Sequence, residues 1–567
     1  HRDEPFLAWV HFFDPHAPYE PPAAIRDEIE DPYDGEIAFV DEQIGRLVAW
    51  LDARNLRDRS LIVVAGDHGE SFAEHDEPQH GLFLYDTTLH VPLIFSGPGL
   101  VPAGFVESSE VQLVDVFATL MELMQWDASA TDGRSLVDAW SGGALSPRSA
   151  YAETQYPWQS YGWSPLRSIT QDHWKYIEAP RPELYDRDAD PGETNNVLSR
   201  HPNVAIQLRD ALTALEGEME PHAADQVALD SQSRSKLESL GYLASAGGPD
   251  SVGDTRHLRD PKDGLAVYRM HLRGNLLLQR QDFAEAARVL ESATKQSPES
   301  DEIYTSLAKA YLELGRPADA ETAFSASLRT DPDEPHKLWG LGEACRRQHK
   351  TDQAIEHFNR ALALMPDFAN AHLGLGLIYA GRRDFDRAHE HCRRHFEIDP
   401  TSPIALRNFA SVLFETQRFE ESVTILEAAL KQDPASRFAH SALWQALKSC
   451  GRIEDGILAL RRGRGAFPSD AEFTCLLAWT LAVTPGAELI DEDEAVRLAN
   501  QCLSAQPNHP RHHDVLAAAL AARGDFAEAV KTATRAISLA RDPGLVEFRG
   551  EIEARLELYK ARKAYRE

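Results

Sequence analysis

Residues 61–81 read LIVVAGDHGESFAEHDEPQHG, and a second apolar run, VPLIF, follows at 91–95. The stretch from Gly66 to Gly81 holds three histidines and five acids. Short apolar runs bounded by glycine and polar clusters read as buried strands. Upstream, PFLAWVHFF supplies a further run over 6–13. Between it and LIVVA, the segment DGEIAFVDEQIGRLVAWLDARNL places apolar residues at 37, 40, 44, 47, 48 and 51, the spacing of an amphipathic helix. Strand, helix, strand predicts a βαβ unit, and hence an α/β domain with a mostly parallel sheet. Ligands of such sheets sit beyond the carboxyl ends of the strands. DPHAPY follows the first run and GDHGE the second, so both polar clusters fall on the edge where a site belongs.

The residue types narrow the chemistry. Asp67 and His68 are adjacent, between Gly66 and Gly69, whose backbone freedom permits tight turns. A carboxylate beside an imidazole is a metal-ligand pair. His16 and His80 can donate a proton or hold an anionic ester. A polar surface loop with helix-capping histidines would give the same composition. That plainer reading suits Glu70, Glu74, His75, Asp76 and Glu77, which receive no role.

Beyond residue 262 the pattern changes. Prolines recur at 298, 332, 366, 400, 434 and 468, each 34 residues from the last. The same slots return in each unit: Tyr304, Leu307, Ala308, Tyr311, Ala320 and Phe324 in one, Leu338, Leu341, Gly342, Cys345, Ala354 and Phe358 in the next. Small residues let two helices cross closely, large ones fill the groove between them, and the proline closes the second helix. This period resembles a tetratricopeptide repeat (TPR) array of about eight units over 267–544. The unit from 437 is irregular, with Gly456 and Gly463 in small-residue slots, and the unit from 471 carries a five-residue insertion. The charged tail from Val546 suits a capping helix. The expected organisation is therefore an α/β domain over 1–215, a short helix and linker over 216–262, and an all-α TPR solenoid over 263–567.

Composition sets further limits. The 567 residues carry a net charge of −32, about −27 of it before residue 251, which argues against a nucleic-acid surface. No apolar window is long enough for a membrane span. All five cysteines lie at 345 and beyond without CxxC spacing, so core thiols are expected rather than zinc or disulfides. The chain opens at His1, directly before an expected core strand, which suggests a fragment whose upstream part, with any export signal, lies elsewhere.

Several blocks together resemble the sulfatase family of the alkaline phosphatase superfamily. FLAWVHFFDPHAPYEPP, YDGEIAFVDEQIGRLVAWLD, LIVVAGDHGESFAEHDEPQHG and HVPLIFSGPG occur in the family's order, followed by QLVDVFATLMEL and RSITQDHWKYI with ELYDRDADPGETNNV. The resemblance covers roughly 1–215. It implies an alkaline-phosphatase-like fold and a metal-dependent hydrolase of sulfate esters. Asp67 and His68 would ligate a divalent cation, calcium or magnesium in most sulfatases. His16 would contact the ester oxygens, and His80 would stand near the leaving group. The metal would stabilise charge in the transition state while a histidine protonates the departing oxygen.

Two departures qualify the resemblance. The family's first strand, with two further metal-binding aspartates and the nucleophile, is not in the chain, and neither Cys-x-Pro-x-Arg nor Ser-x-Pro-x-Arg occurs in it. A formylglycine is expected only upstream, and the chain alone is expected to be inactive. Many sulfatases also carry a lysine after the HG block, whereas no lysine stands between Gly81 and Val91. The pattern equally resembles phosphoethanolamine transferases and phosphodiester or phosphonate hydrolases, which use zinc or manganese. A third reading is a non-catalytic repeat scaffold with a degenerate hydrolase half. In the first two, the repeats would recruit a protein partner or the substrate through their concave face. The substrate and compartment stay open, although relatives of this type are often exported, periplasmic or membrane-anchored.

Overall fold

Ile62–Ala65 (β1) and Leu93–Ser96 (β2) form strands where the two apolar runs predict them. They belong to a computed structural model that describes residues 6–126, 131–219, 257–484, 489 and 491–567. The predicted helix is present as Pro32–Asp52 (α1). Asp31 caps it by accepting from the amides of Tyr33 (2.9 Å) and Asp34 (3.3 Å), and Pro32 stands in the first turn.

The predicted parallel pairing is corrected. β1 and β2 are antiparallel, with Ile62 opposite Ser96 and Ala65 opposite Leu93. A parallel pair needs a crossover element between its strands. Residues 66–92 contain only a 3-10 turn and the four-residue helix Asp86–Leu89. The first run, 6–13, is no strand either. Phe6, Leu7, Trp9 and Val10 are largely exposed, and no strand among the described residues lies alongside to satisfy their backbone.

A second sheet follows, formed by Ala150–Thr154 (β3), Leu166–Gln171 (β4), Trp174–Glu178 (β5) and Glu183–Asp186 (β6), an antiparallel meander in chain order. Its apolar face carries Ile169, Tyr176 and Leu184. Ala205, Leu208 and Leu212 of helix Pro202–Glu218 (α2) cover it. The helix and linker expected over 216–262 fall mostly outside the described residues. Asp260 accepts from the Lys262 amide and starts helix Pro261–Gln279 (α3) within the expected linker.

Two compact units divide the chain at 337/338, inside the repeat array. The first contains two helix pairs, α3 with Phe283–Gln296 (α4) and Asp301–Glu313 (α5) with Pro317–Ser327 (α6). Six pairs follow from Pro335, and helix Val546–Lys560 closes the array as expected for a cap. First helices start at 301, 335, 369, 403, 437 and 471, the 34-residue period. Gly456 and Gly463 of the irregular unit leave room for the rings of Trp444 and Phe473, each under 3 Å from where a Cβ would stand. The cysteine expectation holds for Cys345 and Cys392, which are buried thiols. It fails for Cys475 and Cys502, which form a disulfide between the adjacent helices Ala471–Val483 and Glu492–Ala505, where the Cα atoms come within 5.8 Å. No helix among the described residues is long and apolar enough to cross a membrane.

Candidate active site

The turn after the 6–13 segment is pinned by α1. Buried Glu36 accepts from the amides of His16 (3.1 Å) and Glu20 (2.6 Å). His16 Nδ1 lies 2.7 Å from the Ala17 carbonyl. A carbonyl only accepts, so Nδ1 carries the proton and Nε2 is left for a ligand.

After β1 the chain turns at Gly66–Gly69. A Cβ on Gly69 would lie 2.3 Å from the Thr87 carbonyl oxygen, and its amide donates to Thr88 O at 2.7 Å, so only glycine fits this approach. The Asp67 carboxylate accepts from the His68 amide (3.0 Å). His68 Nδ1 lies 2.9 Å from Gly69 O and so donates, which leaves Nε2 facing Asp67 Oδ2 at 3.9 Å. His80 Nδ1 donates to Glu70 Oε1 at 3.0 Å. The His68 and His80 rings stand 3.9 Å apart between centroids, and His16 lies 5.6 Å from His80. The four residues predicted from sequence therefore share one place, and all three imidazoles have Nδ1 tied and Nε2 available.

The acids set aside in the sequence position this group. Burial works to raise the Glu70 carboxyl, but hydrogen bonds from His80 and Tyr19 overcome it and hold the carboxyl below its ordinary range. Burial and Glu70 push the Tyr19 hydroxyl up, so it remains a donor. Buried Glu77 accepts from the amides of Leu82 (2.7 Å) and Phe83 (3.1 Å), just after His80, and burial pushes its carboxyl up to about 7. Thr154 of β3 donates to Gly81 O at 2.6 Å. His75 stacks on Tyr85 with centroids 3.6 Å apart.

Lys175 of β5 lies beside Asp86, in the segment that follows His80. It is 1% exposed and bonds Asp86 Oδ1 (2.8 Å) and Glu193 Oε1 (2.9 Å), while Arg187 bonds Asp86 Oδ2 (2.8 Å). Its partners are both carboxylates, which makes it a structural cation. Sequence reasoning missed Glu36, Glu70 and Lys175. Glu70 was legible, two residues from His68. Lys175 was not, because it arrives from a strand 89 residues beyond Asp86.

Asp67 and His68 fit two ligands of a divalent cation, since a carboxylate beside an imidazole with its other nitrogen bound to a carbonyl is the usual donor arrangement. No cluster of three or more candidate ligands occurs among the described residues.

Comparison with known proteins supports the two-part reading. The sulfatase family profile matches residues 1–126, and the profile described as N-sulphoglucosamine sulphohydrolase, C-terminal, matches 79–218. Tetratricopeptide repeat profiles match 277–342, 379–449 and 513–547, and a TPR repeat profile matches 342–381. Arylsulfatase K of Homo sapiens is 27% identical over 197 residues, 31% of this chain and 35% of that protein. Choline-sulfatase of Rhizobium meliloti (strain 1021) is 30% identical over 216 residues, 36% of this chain and 40% of that protein. Among solved structures, phosphonate monoester hydrolase from Silicibacter pomeroyi is 26% identical with a TM-score of 0.30, covering 34% of this chain and 42% of its own. MamA is 25% identical with a TM-score of 0.27, covering 28% of this chain and 94% of its own. The chain spans about a third of the length of the first of these relatives. The N-terminal part is a sulfatase-type segment, and the part that follows is a TPR array.

Proposed function

We propose that the chain supplies the metal edge and the proton-transfer histidines of a sulfuric ester hydrolase, with repeats that recruit a protein partner or the substrate. The grouping of His16, His68 and His80 beside Asp67, each ring with Nε2 available, carries this reading. Asp67 and His68 would hold a divalent cation, calcium or magnesium for a sulfatase. The cation would supply Lewis-acid stabilisation of the ester oxygens. His80, oriented by Glu70, would hold the proton for the leaving oxygen, and His16 would contact the anionic group. No nucleophile block occurs in the 567 residues, so turnover by this chain alone is not expected.

A second reading, phosphoryl or phosphoethanolamine transfer or phosphodiester or phosphonate hydrolysis, is favoured by one observation. No lysine follows Gly81 before Val91, and Lys175, which approaches Asp86, is bound to two carboxylates. Zinc or manganese would then be the metal.

Calorimetric titration of the purified chain with calcium, magnesium, zinc and manganese tests both readings. Calcium or magnesium binding lost in Asp67→Ala supports the first. Binding of zinc or manganese alone, with the same loss, supports the second. Binding that survives Asp67→Ala, or hydrolysis of an aryl sulfate that does so, would show the site misplaced.

A further inference from the structure

The loop that delivers His80 contains three non-glycine residues in left-handed conformation: Ala73 (φ 75°), His75 (φ 55°) and Asp76 (φ 64°). Such a backbone is strained for a residue with a Cβ and persists only where the surroundings hold it. Holds come from the α/β part. Ser71 Oγ donates to Glu77 O at 2.8 Å, the Ala73 amide donates to Glu77 O at 2.9 Å, and Tyr85 stacks on His75. A further hold comes from the repeats. Arg269, on α3, donates through Nη2 to both Asp76 O (2.9 Å) and Asp76 Oδ1 (2.8 Å).

Arg269 can act as a hold only if α3 is itself fixed. Trp163 and Tyr161 are both 0% exposed and stack at 4.4 Å. The Trp163 indole packs against α3 at Gly264, where a Cβ would come within 2.3 Å of it, and its N–H donates to Ser297 Oγ (3.3 Å) beyond α4. The Tyr161 hydroxyl meets His271 Nδ1 at 2.8 Å, and His271 Nε2 meets Ser306 Oγ of α5 at 3.0 Å. Ser300 Oγ donates to Ser160 O (2.8 Å), and Asp260 accepts from the Arg181 amide (3.0 Å). These contacts are those of a domain core, with buried rings and satisfied polar groups.

We infer that the first repeat is a built-in part of the hydrolase unit and that Arg269 is a positioning residue for the His80 loop. The inference rests on the reading of His80 as a site residue. Hydrogen exchange needs no substrate, so a chain that hydrolyses nothing would still answer it.

The test uses the full chain with Arg269→Ala and Arg269→Lys. Arg269 is half exposed, so its loss leaves the fold intact. In Arg269→Ala, amide exchange over 72–83, including the Leu82 and Phe83 amides held by Glu77, is expected to accelerate about three- to fivefold, with α2 unchanged. Arg269→Lys, which keeps a donor for Asp76, should restore most of the protection, as a role in bulk packing would not. Unchanged exchange over 72–83 in Arg269→Ala, or equal acceleration in α2, would overturn the inference.

Discussion

Gly264 and Trp163 allow a test in which the sign of one substitution reverses. Trp163 is fully buried, so Trp163→Ala should cost about 3–5 kcal/mol as a large-to-small change in a core. Loss of the indole N–H adds little, because Ser297 Oγ keeps its 2.6 Å bond to Glu299. Gly264→Ala alone drives a methyl group into the ring. The ring cannot swing aside, since Tyr161 stacks on it and the Arg259 guanidinium lies 5.3 Å from its centroid. Overpacking of this kind costs about 1–3 kcal/mol. In the Trp163→Ala background the methyl group has space, and alanine exceeds glycine in a helix by about 1 kcal/mol. The propensity gain is common to both backgrounds and cancels, so the cycle predicts a coupling of about 1–3 kcal/mol and a stabilising Gly264→Ala in the second background. Hydrogen exchange of the α3 amides in the full chain reads the local opening free energy. An equal cost for Gly264→Ala in both backgrounds would refute the packing of the first repeat against the sulfatase-type segment.

Three further outcomes are expected. Burial holds the His271 imidazole down to about 4 against an ordinary 6.5. The unfolded chain therefore binds the extra proton first, and stability falls as pH drops from about 6.5 toward 4, by up to about 3 kcal/mol. His271→Gln should remove that fall in denaturant titrations across this window, and an unchanged slope would contradict it. Lys175→Met leaves the Asp86 and Glu193 carboxylates facing each other without their shared cation, so about 3–5 kcal/mol of stability should disappear. A melting temperature within a degree or so of wild type would rule this out. Asp67→Ala and His68→Ala should each weaken divalent-cation binding tenfold or more, about 1.4 kcal/mol at the least, in the calorimetric titration. Glu74→Ala, on the same loop but bonded to the Phe72 amide, should not.

The repeats were the most legible part of the sequence because a fixed period needs no long-range information. Each second helix is closed by its own proline, the small-residue slots recur where helices cross, and the structure keeps both. Asp67, His68, His80 and His16 were legible because local glycines and adjacent apolar runs aim them. The pairing of β1 with β2 was not, since apolar runs announce strands without announcing their neighbours. Nor was the junction. Trp163 and Tyr161 lie about 110 residues from His271 in the sequence, with no motif to link them. Only packing shows that they share a core. The disulfide was missed for a related reason, because Cys475 and Cys502 meet across two helices rather than within a spacing motif.

The division at 337/338 also bears on how such a chain can change over generations. A repeat of constant length is the unit that unequal recombination duplicates or deletes, and loss or gain of 34 codons beyond Leu338 removes or adds a whole helix pair in register. The same event over the first repeat would take away Gly264, Arg269 and His271 and strip the cover from Tyr161 and Trp163. Repeat number is therefore free to drift on one side of this boundary and frozen on the other, and descendants with different partners should differ in the count of later repeats while sharing the first.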